Sequence, residues 1–131
     1  MVKFAYTILY VQNVRKSIEF YETAFGFERK FITDEEDYAE LAVGDTTLSF
    51  TSIELANSNL TNGFQQSTLN DKPFGIELGF TSDNVEQTCL EAVNAGAIIV
   101  EQPKTKPWGQ TVAYIRDIDG FLIELCTPMN Q

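Results

Sequence analysis

The amino-acid sequence predicts an α+β domain built from two copies of a βαβββ unit, closing a cupped sheet. Three observations predict it. Runs rich in β-branched and aromatic residues alternate with two stretches of helical periodicity. Each helical stretch stops at a glycine, Gly26 or Gly96, and leads straight into a strand. The order strand, helix, three strands then occurs twice, with Gly26-Phe27 and Gly96-Ala97 at an offset of seventy residues.

Along the chain, residues 4–11 (FAYTILYV) read as the first strand. Asn13 supplies an N-cap for a helix over 14–25, where Val14, Ile18, Tyr21 and Phe25 recur at helical spacing. Residues 27–33, 38–43 and 46–52 follow as strands, the last two joined by a Gly44-Asp45 turn. In the second unit, residues 75–81 (GIELGFT) form a strand and Ser82-Asp83-Asn84 caps a helix over 85–95. Strands over 97–101, 110–116 and 121–127 complete it, the last pair turning at Asp119-Gly120. The repeats thus span 4–52 and 74–127 of a single domain, 1–131. Residues 53–73 are polar and too long for an ordinary connection, and read either as a functional lid or as a linker between the halves.

With 131 residues, 44% hydrophobic and 21% charged, the chain is long enough to bury one core without disulfides or a structural metal. Nine basic residues against nineteen acidic ones give a net charge of −10. That balance offers no electrostatic footprint for nucleic acid and repels an anionic membrane; it either attracts a small cationic ligand or simply serves solubility. No apolar run approaches the ~20 residues that span a bilayer. The N-terminus carries no cleavage signal, so no secretory leader is expected. Cys89 and Cys126 fall in a helix and a strand, outside any paired motif. They read as free thiols in a reducing cytoplasm.

Two stretches carry a family resemblance: V-x-N-V-x-x-S-I-x-F-Y-x-x-x-F-G-F from Val11 to Phe27, and PWGQTVAYIRDIDGFLIEL from Pro107 to Leu125. They resemble the vicinal oxygen chelate superfamily, which includes glyoxalase I, bleomycin-resistance proteins and extradiol dioxygenases. The resemblance implies an eight-stranded cupped sheet with helices outside. It also implies a homodimer, often with halves from two chains completing each pocket. In the metal enzymes of that superfamily four positions hold the ion. They lie on the first and last strands of each half and are typically His and Glu. Carried over, those positions are Tyr6, Ser49, Gly75 and Glu124, of which only Glu124 matches the ligand type. The chain contains no histidine. One carboxylate with a tyrosine, a serine and a glycine does not make a tight transition-metal site. The expectation is therefore no metal and no cofactor, the most conceivable being a weak, magnesium-like ion held by Glu77 and Glu124 together with waters.

Strand alternation gives the remaining candidates. It puts Tyr6, Ile8 and Tyr10 on one face of the first strand, and Gly75, Glu77 and Gly79 on the matching face of the second half. Leu122, Glu124 and Cys126 face the cup, while Ile123 and Leu125 pack on the helices. Glu77 and Glu124 sharing a cavity have three uses. They can bind a cationic ligand. They can divide acid and base roles as catalytic residues. Or Arg116, Lys104 or Lys106 can neutralise them. Trp108, set between Pro107 and Gly109, either stacks on a planar or cationic ligand, with Tyr6, Tyr10 and Phe64 as neighbours, or caps the core. Tyr6, Tyr10, Ser49, Glu77, Trp108 and Glu124 are the candidate ligand-binding residues. The leading expectation is a metal-free protein similar to the bleomycin-resistance branch, sequestering a small cationic or aromatic compound. A glyoxalase-type lyase or isomerase, or a dioxygenase, in which a pocket glutamate moves a proton is the alternative. A partner-binding subunit with a vestigial pocket is a third reading.

Overall fold

A computed structural model describes residues 1–129. They form two compact units. The first comprises Met1–Glu22 and Gly26–Gln66, and the second Thr23–Phe25 and the chain from Ser67 onward.

The first unit begins with β1 (Thr7–Val11) and α1 (Val14–Phe25). The Asn13 side chain caps α1 by accepting the Lys16 N–H at 3.0 Å, and Gly26, at φ 72°, ends it in the left-handed conformation that glycine adopts without strain. There follow β2 (Glu28–Ile32), β3 (Tyr38–Val43), β4 (Thr46–Ser52) and α2 (Ile53–Asn59). The strands lie in the order β1-β4-β3-β2, with β1 parallel to β4 and the other pairs antiparallel. Leu9, Val11, Ala39, Leu41, Leu48 and Phe50 are buried on one face. Val14, Ile18 and Tyr21 of α1 close that core, and the Tyr21 ring sits 5.2 Å from that of Phe50. Each such large side chain contributes about 2 kcal/mol by leaving water.

The second unit repeats the plan with β5 (Glu77–Thr81), α3 (Val85–Ala95), β6 (Ile98–Thr105), β7 (Thr111–Arg116) and β8 (Leu122–Cys126), in sheet order β5-β8-β7-β6. Asn84 caps α3 by accepting the Gln87 N–H at 3.1 Å. Val85, Cys89 and Ala92 of α3 are buried, as are Ala113, Ile115, Ile123 and Leu125 of the sheet. The β7–β8 turn is built around the buried Asp117, whose Oδ1 accepts the N–H groups of Asp119 and Phe121, both at 2.9 Å. The D-x-D-G sequence is thus a tight turn.

All eight expected strands form, in two four-stranded mixed sheets. Three details differ from the sequence reading. Residues 53–59 of the segment read as a loop are helical: Ser52 Oγ accepts the Leu55 N–H at 3.1 Å and Ala56 is buried. Its Asn and Ser content hid a one-cap helix in which Ala56 is buried and Ile53 and Leu55 are half-buried. β6 runs on to Thr105 through Pro103, which an edge strand tolerates because one side of its backbone needs no partner. Finally, the first strands of the two halves repeat at an offset of seventy-one, not at the sixty-nine that matching Tyr6 to Gly75 requires. Ile8 pairs with Ser49 and Gly79 with Glu124, and the two helix caps, Asn13 and Asn84, keep the same spacing.

Candidate functional site

Each unit turns one face of its sheet away from its helix, and the polar candidates stand on those two faces.

In the second unit, strand pairing sets Gly79, Glu124, Tyr114 and Glu101 side by side across β5, β8, β7 and β6. Residues directly opposite one another point to the same face, so these four form a row. Tyr114 donates its hydroxyl to Glu124 Oε2 at 3.2 Å. A Cβ placed on Gly79 would lie 3.9 Å from Glu124 Oε1, so the glycine leaves the space beside that carboxylate open. Glu77 lies two residues before Gly79 on the same face. Although its side chain reaches solvent, partial desolvation holds its carboxyl above the ordinary range, and the charge of Glu124 adds to the shift. Burial, then the charges of Glu77 and Glu124, raise the Tyr114 phenol. The Cys126 thiol is likewise raised, by burial first and Glu124 second, so it is held as a thiol rather than as a nucleophilic thiolate.

Neither glutamate is neutralised as the sequence allowed. Among the described residues the ion pairs are Arg15–Glu36 at 2.7 Å and Arg29–Glu22 at 3.0 Å. Arg116 is only 8% exposed and gives its guanidinium to three carbonyls: Gly120 at 2.9 Å, Asp71 at 2.8 Å and Thr68 at 2.9 Å. It fastens residues 68–71 to the β7–β8 turn. Ser67 Oγ adds a bond to the Asp119 carbonyl at 2.9 Å. This end of the 53–73 segment is docked rather than free to swing as a lid.

In the first unit the corresponding row is Ile8, Ser49, Glu40 and Phe31. Tyr38, on the same face, donates its hydroxyl to Glu40 Oε2 at 2.6 Å and also reaches Ser49 Oγ at 3.2 Å. Burial and then the Glu40 bond raise the Tyr38 phenol. Tyr10 and Ser49 belong to this face, as alternation requires, and Phe64 meets Tyr10 edge-on at 4.8 Å, whereas Tyr6 lies just before β1, outside the paired strand that the sequence reading gave it.

Trp108 stands apart from Glu77 and Glu124. Its turn joins β6 to β7 beyond the Thr111 end of the second sheet, whereas Glu77 pairs with Leu122 at the opposite end. The indole is 63% exposed and donates to Gln110 Oε1 at 2.8 Å. With Asp83, Thr127 and Met129 it lines a groove of about 410 Å³. It therefore does not cap the core.

Sequence reasoning missed Tyr38, Glu40, Glu101 and Tyr114. The signal was present for three of them. Ala39 and Leu41 mark the core side of β3, so Tyr38 and Glu40 must face the other way, and Ala113 and Ile115 place Tyr114 by the same rule. The missed register also matters. At the observed offset the counterpart of Tyr6 is Glu77, not Gly75, so Glu77 and Glu124 occupy the two first- and last-strand positions of their unit.

The donor set does not fit a tightly held catalytic transition metal. The chain has no histidine. Among the described residues no three His, Cys, Asp or Glu side chains converge to hold an ion.

The family model described as the Glyoxalase/Bleomycin resistance protein/Dioxygenase superfamily matches residues 3–125, and the chain belongs to that superfamily. It is 32% identical over 126 residues to a "Probable lactoylglutathione lyase" of Vibrio cholerae, covering 92% of this chain and 86% of that protein. It is 27% identical over 118 residues to the uncharacterized protein YraH of Bacillus subtilis, covering 89% and 91%. A glyoxalase-related enzyme from Fulvimarina pelagi superposes with a TM-score of 0.82 over 98% of this chain and 89% of that one, at 18% identity. A glyoxalase/bleomycin resistance protein/dioxygenase family enzyme from Burkholderia phytofirmans gives 0.82 over 96% and 98%, at 17% identity. At such identities the two structures establish likeness of fold.

Proposed function

We propose that the protein binds and sequesters small cationic compounds, aromatic ones included, through the carboxylates of Glu77 and Glu124 and without a metal. One observation carries the reading: two carboxylates share a sheet face, neither paired to a lysine or arginine among the described residues, and the Glu77 carboxyl is raised first by desolvation and then by repulsion from the Glu124 charge. A bound cation relieves that repulsion, while Tyr114 keeps Glu124 oriented to receive it. Two carboxylates offer several acceptors, which suits an amidinium or primary ammonium. The net charge of −10 concentrates such ligands near the surface.

Calorimetric titration with benzamidine, a cation at neutral pH, and with neutral benzamide tests this. Benzamidine binds and benzamide does not, and Glu77→Gln or Glu124→Gln weakens binding about tenfold, the loss of one charge-assisted hydrogen bond. Equal binding of benzamide, or unchanged affinity in both variants, would sink the reading. Affinity for benzamidine falls as pH is lowered through the raised Glu77 range, because protonation removes the charge that the cation meets.

A proton-transferring lyase is the second reading, favoured by the raised Glu77 carboxyl, which is a better base than an ordinary one. Formation of lactoylglutathione in the presence of a chelator, abolished in Glu77→Gln, would support it. The proposal extends to a homodimer in a reducing cytoplasm. Exposed Phe4, Tyr6 and Ile8 in the first unit and Ile76, Ile98 and Val100 in the second favour a partner copy, and the buried free thiols Cys89 and Cys126 favour the compartment.

A further inference from the structure

We propose that the first unit carries a separate ammonium site of its own, formed by the Glu40 carboxylate with the rings of Phe31 and Tyr38, and that it takes an alkylated ammonium group. It rests on residues other than the carboxylate pair of the second unit.

The site is assembled by strand pairing. Phe31 stands directly opposite Glu40, and Ser49 opposite it on the other side. Tyr38, two residues before Glu40 on β3, packs its ring against that of Phe31, with centroids 5.8 Å apart and planes at 44°. Phe31 is 43% exposed, so its ring is open to a ligand arriving from solvent. Glu40 is fixed by the 2.6 Å bond from Tyr38 to Oε2, while Oε1 has no hydrogen-bond or ion-pair partner among the described residues. The basic side chains of β2 are directed elsewhere, Arg29 to Glu22 and Lys30 to Thr47. A fixed, unneutralised carboxylate thus adjoins two aromatic rings.

The donor count selects the ligand. A primary ammonium presents three N–H groups and needs as many acceptors. Here the Tyr38 hydroxyl and Glu40 Oε2 are committed to each other, which leaves chiefly Oε1. An alkylated ammonium has few or no N–H groups to satisfy. Its methyl groups carry the positive charge onto aromatic faces, and the carboxylate supplies the counter-charge without bonding to it.

The test is NMR titration of the full chain with choline and with its neutral isostere 3,3-dimethylbutan-1-ol, read at the ring signals of Phe31 and Tyr38. Choline shifts both signals saturably and the alcohol does not. Glu40→Gln, which keeps the shape and the acceptor for Tyr38, weakens choline at least ~10-fold. Phe31→Ala, at an exposed position, gives a second variant should Glu40→Gln melt early. Equal shifts with the alcohol, unchanged choline binding in both first-unit variants, or shifts confined to Tyr114 would overturn the proposal. The last outcome would leave the carboxylate-pair reading standing. Failure of benzamidine with success of choline would do the reverse.

Discussion

Glu77 and Glu124 show at the scale of single residues how a binding site can cost stability. The Glu77 carboxyl is raised, so the folded chain holds that proton more tightly than the unfolded chain does. Its contribution is therefore most favourable at low pH and is lost as pH rises through the raised value. Glu77→Gln is accordingly expected to raise Tm slightly at pH 7, with the gain vanishing below about pH 4, where both states carry neutral glutamates. Thermal melts at the two pH values check this, and a destabilised Glu77→Gln at pH 7 would contradict it. Arg116 is the opposite case. Truncating it strands three carbonyls beside a void, so Arg116→Ala should cost about 3 kcal/mol in denaturant unfolding. Lys at that position recovers only part, since a single ammonium cannot reproduce the planar fork.

Among the elements, α2 is the weakest and the β7–β8 turn the most tightly specified. Ser52→Ala removes the cap of a seven-residue helix and should lower stability by about 1 kcal/mol. At Gly120, φ is 93° and an added Cβ would stand 2.8 Å from the Thr68 carbonyl carbon. Gly120→Ala should therefore cost about 2–3 kcal/mol, combining backbone strain with a clash against the docked segment. The two variants also show what the sequence could and could not disclose. The Gly26 and Gly96 stops, the Asn13 and Asn84 caps and the alternation of β3 and β8 were legible because each is local: one residue type, one backbone conformation. α2 was not, because a single cap and one buried alanine leave almost no periodicity. The Glu77 register was missed because strand offset is set by pairing with β8, a partner forty-five residues away at Leu122. The Tyr38–Glu40 bond depends on side-chain reach along β3, which alternation allows but does not require.

At the scale of the whole molecule, a pI near 4.3 makes cation binding dependent on ionic strength. Raising salt from about 0.05 to about 0.5 M should weaken benzamidine several-fold, by screening the far charges while leaving the close pair. A salt-independent affinity would place the ligand away from the acidic faces. Sedimentation at micromolar concentration is expected to give twice the 14.7 kDa chain mass, and a monomer would remove the dimer from the proposal. The position of the only tryptophan has an optical consequence. Because Trp108 sits beyond the Thr111 end of its sheet, its emission reports on its own groove and is a poor witness to events at Glu77. The phenols of Tyr38 and Tyr114 are better ones: each is hydrogen-bonded to a carboxylate, a contact that quenches tyrosine light. In a Trp108→Phe background, a cation bound beside Glu124 should change the emission of Tyr114, and one bound beside Glu40 that of Tyr38, so that each unit reports its own ligand.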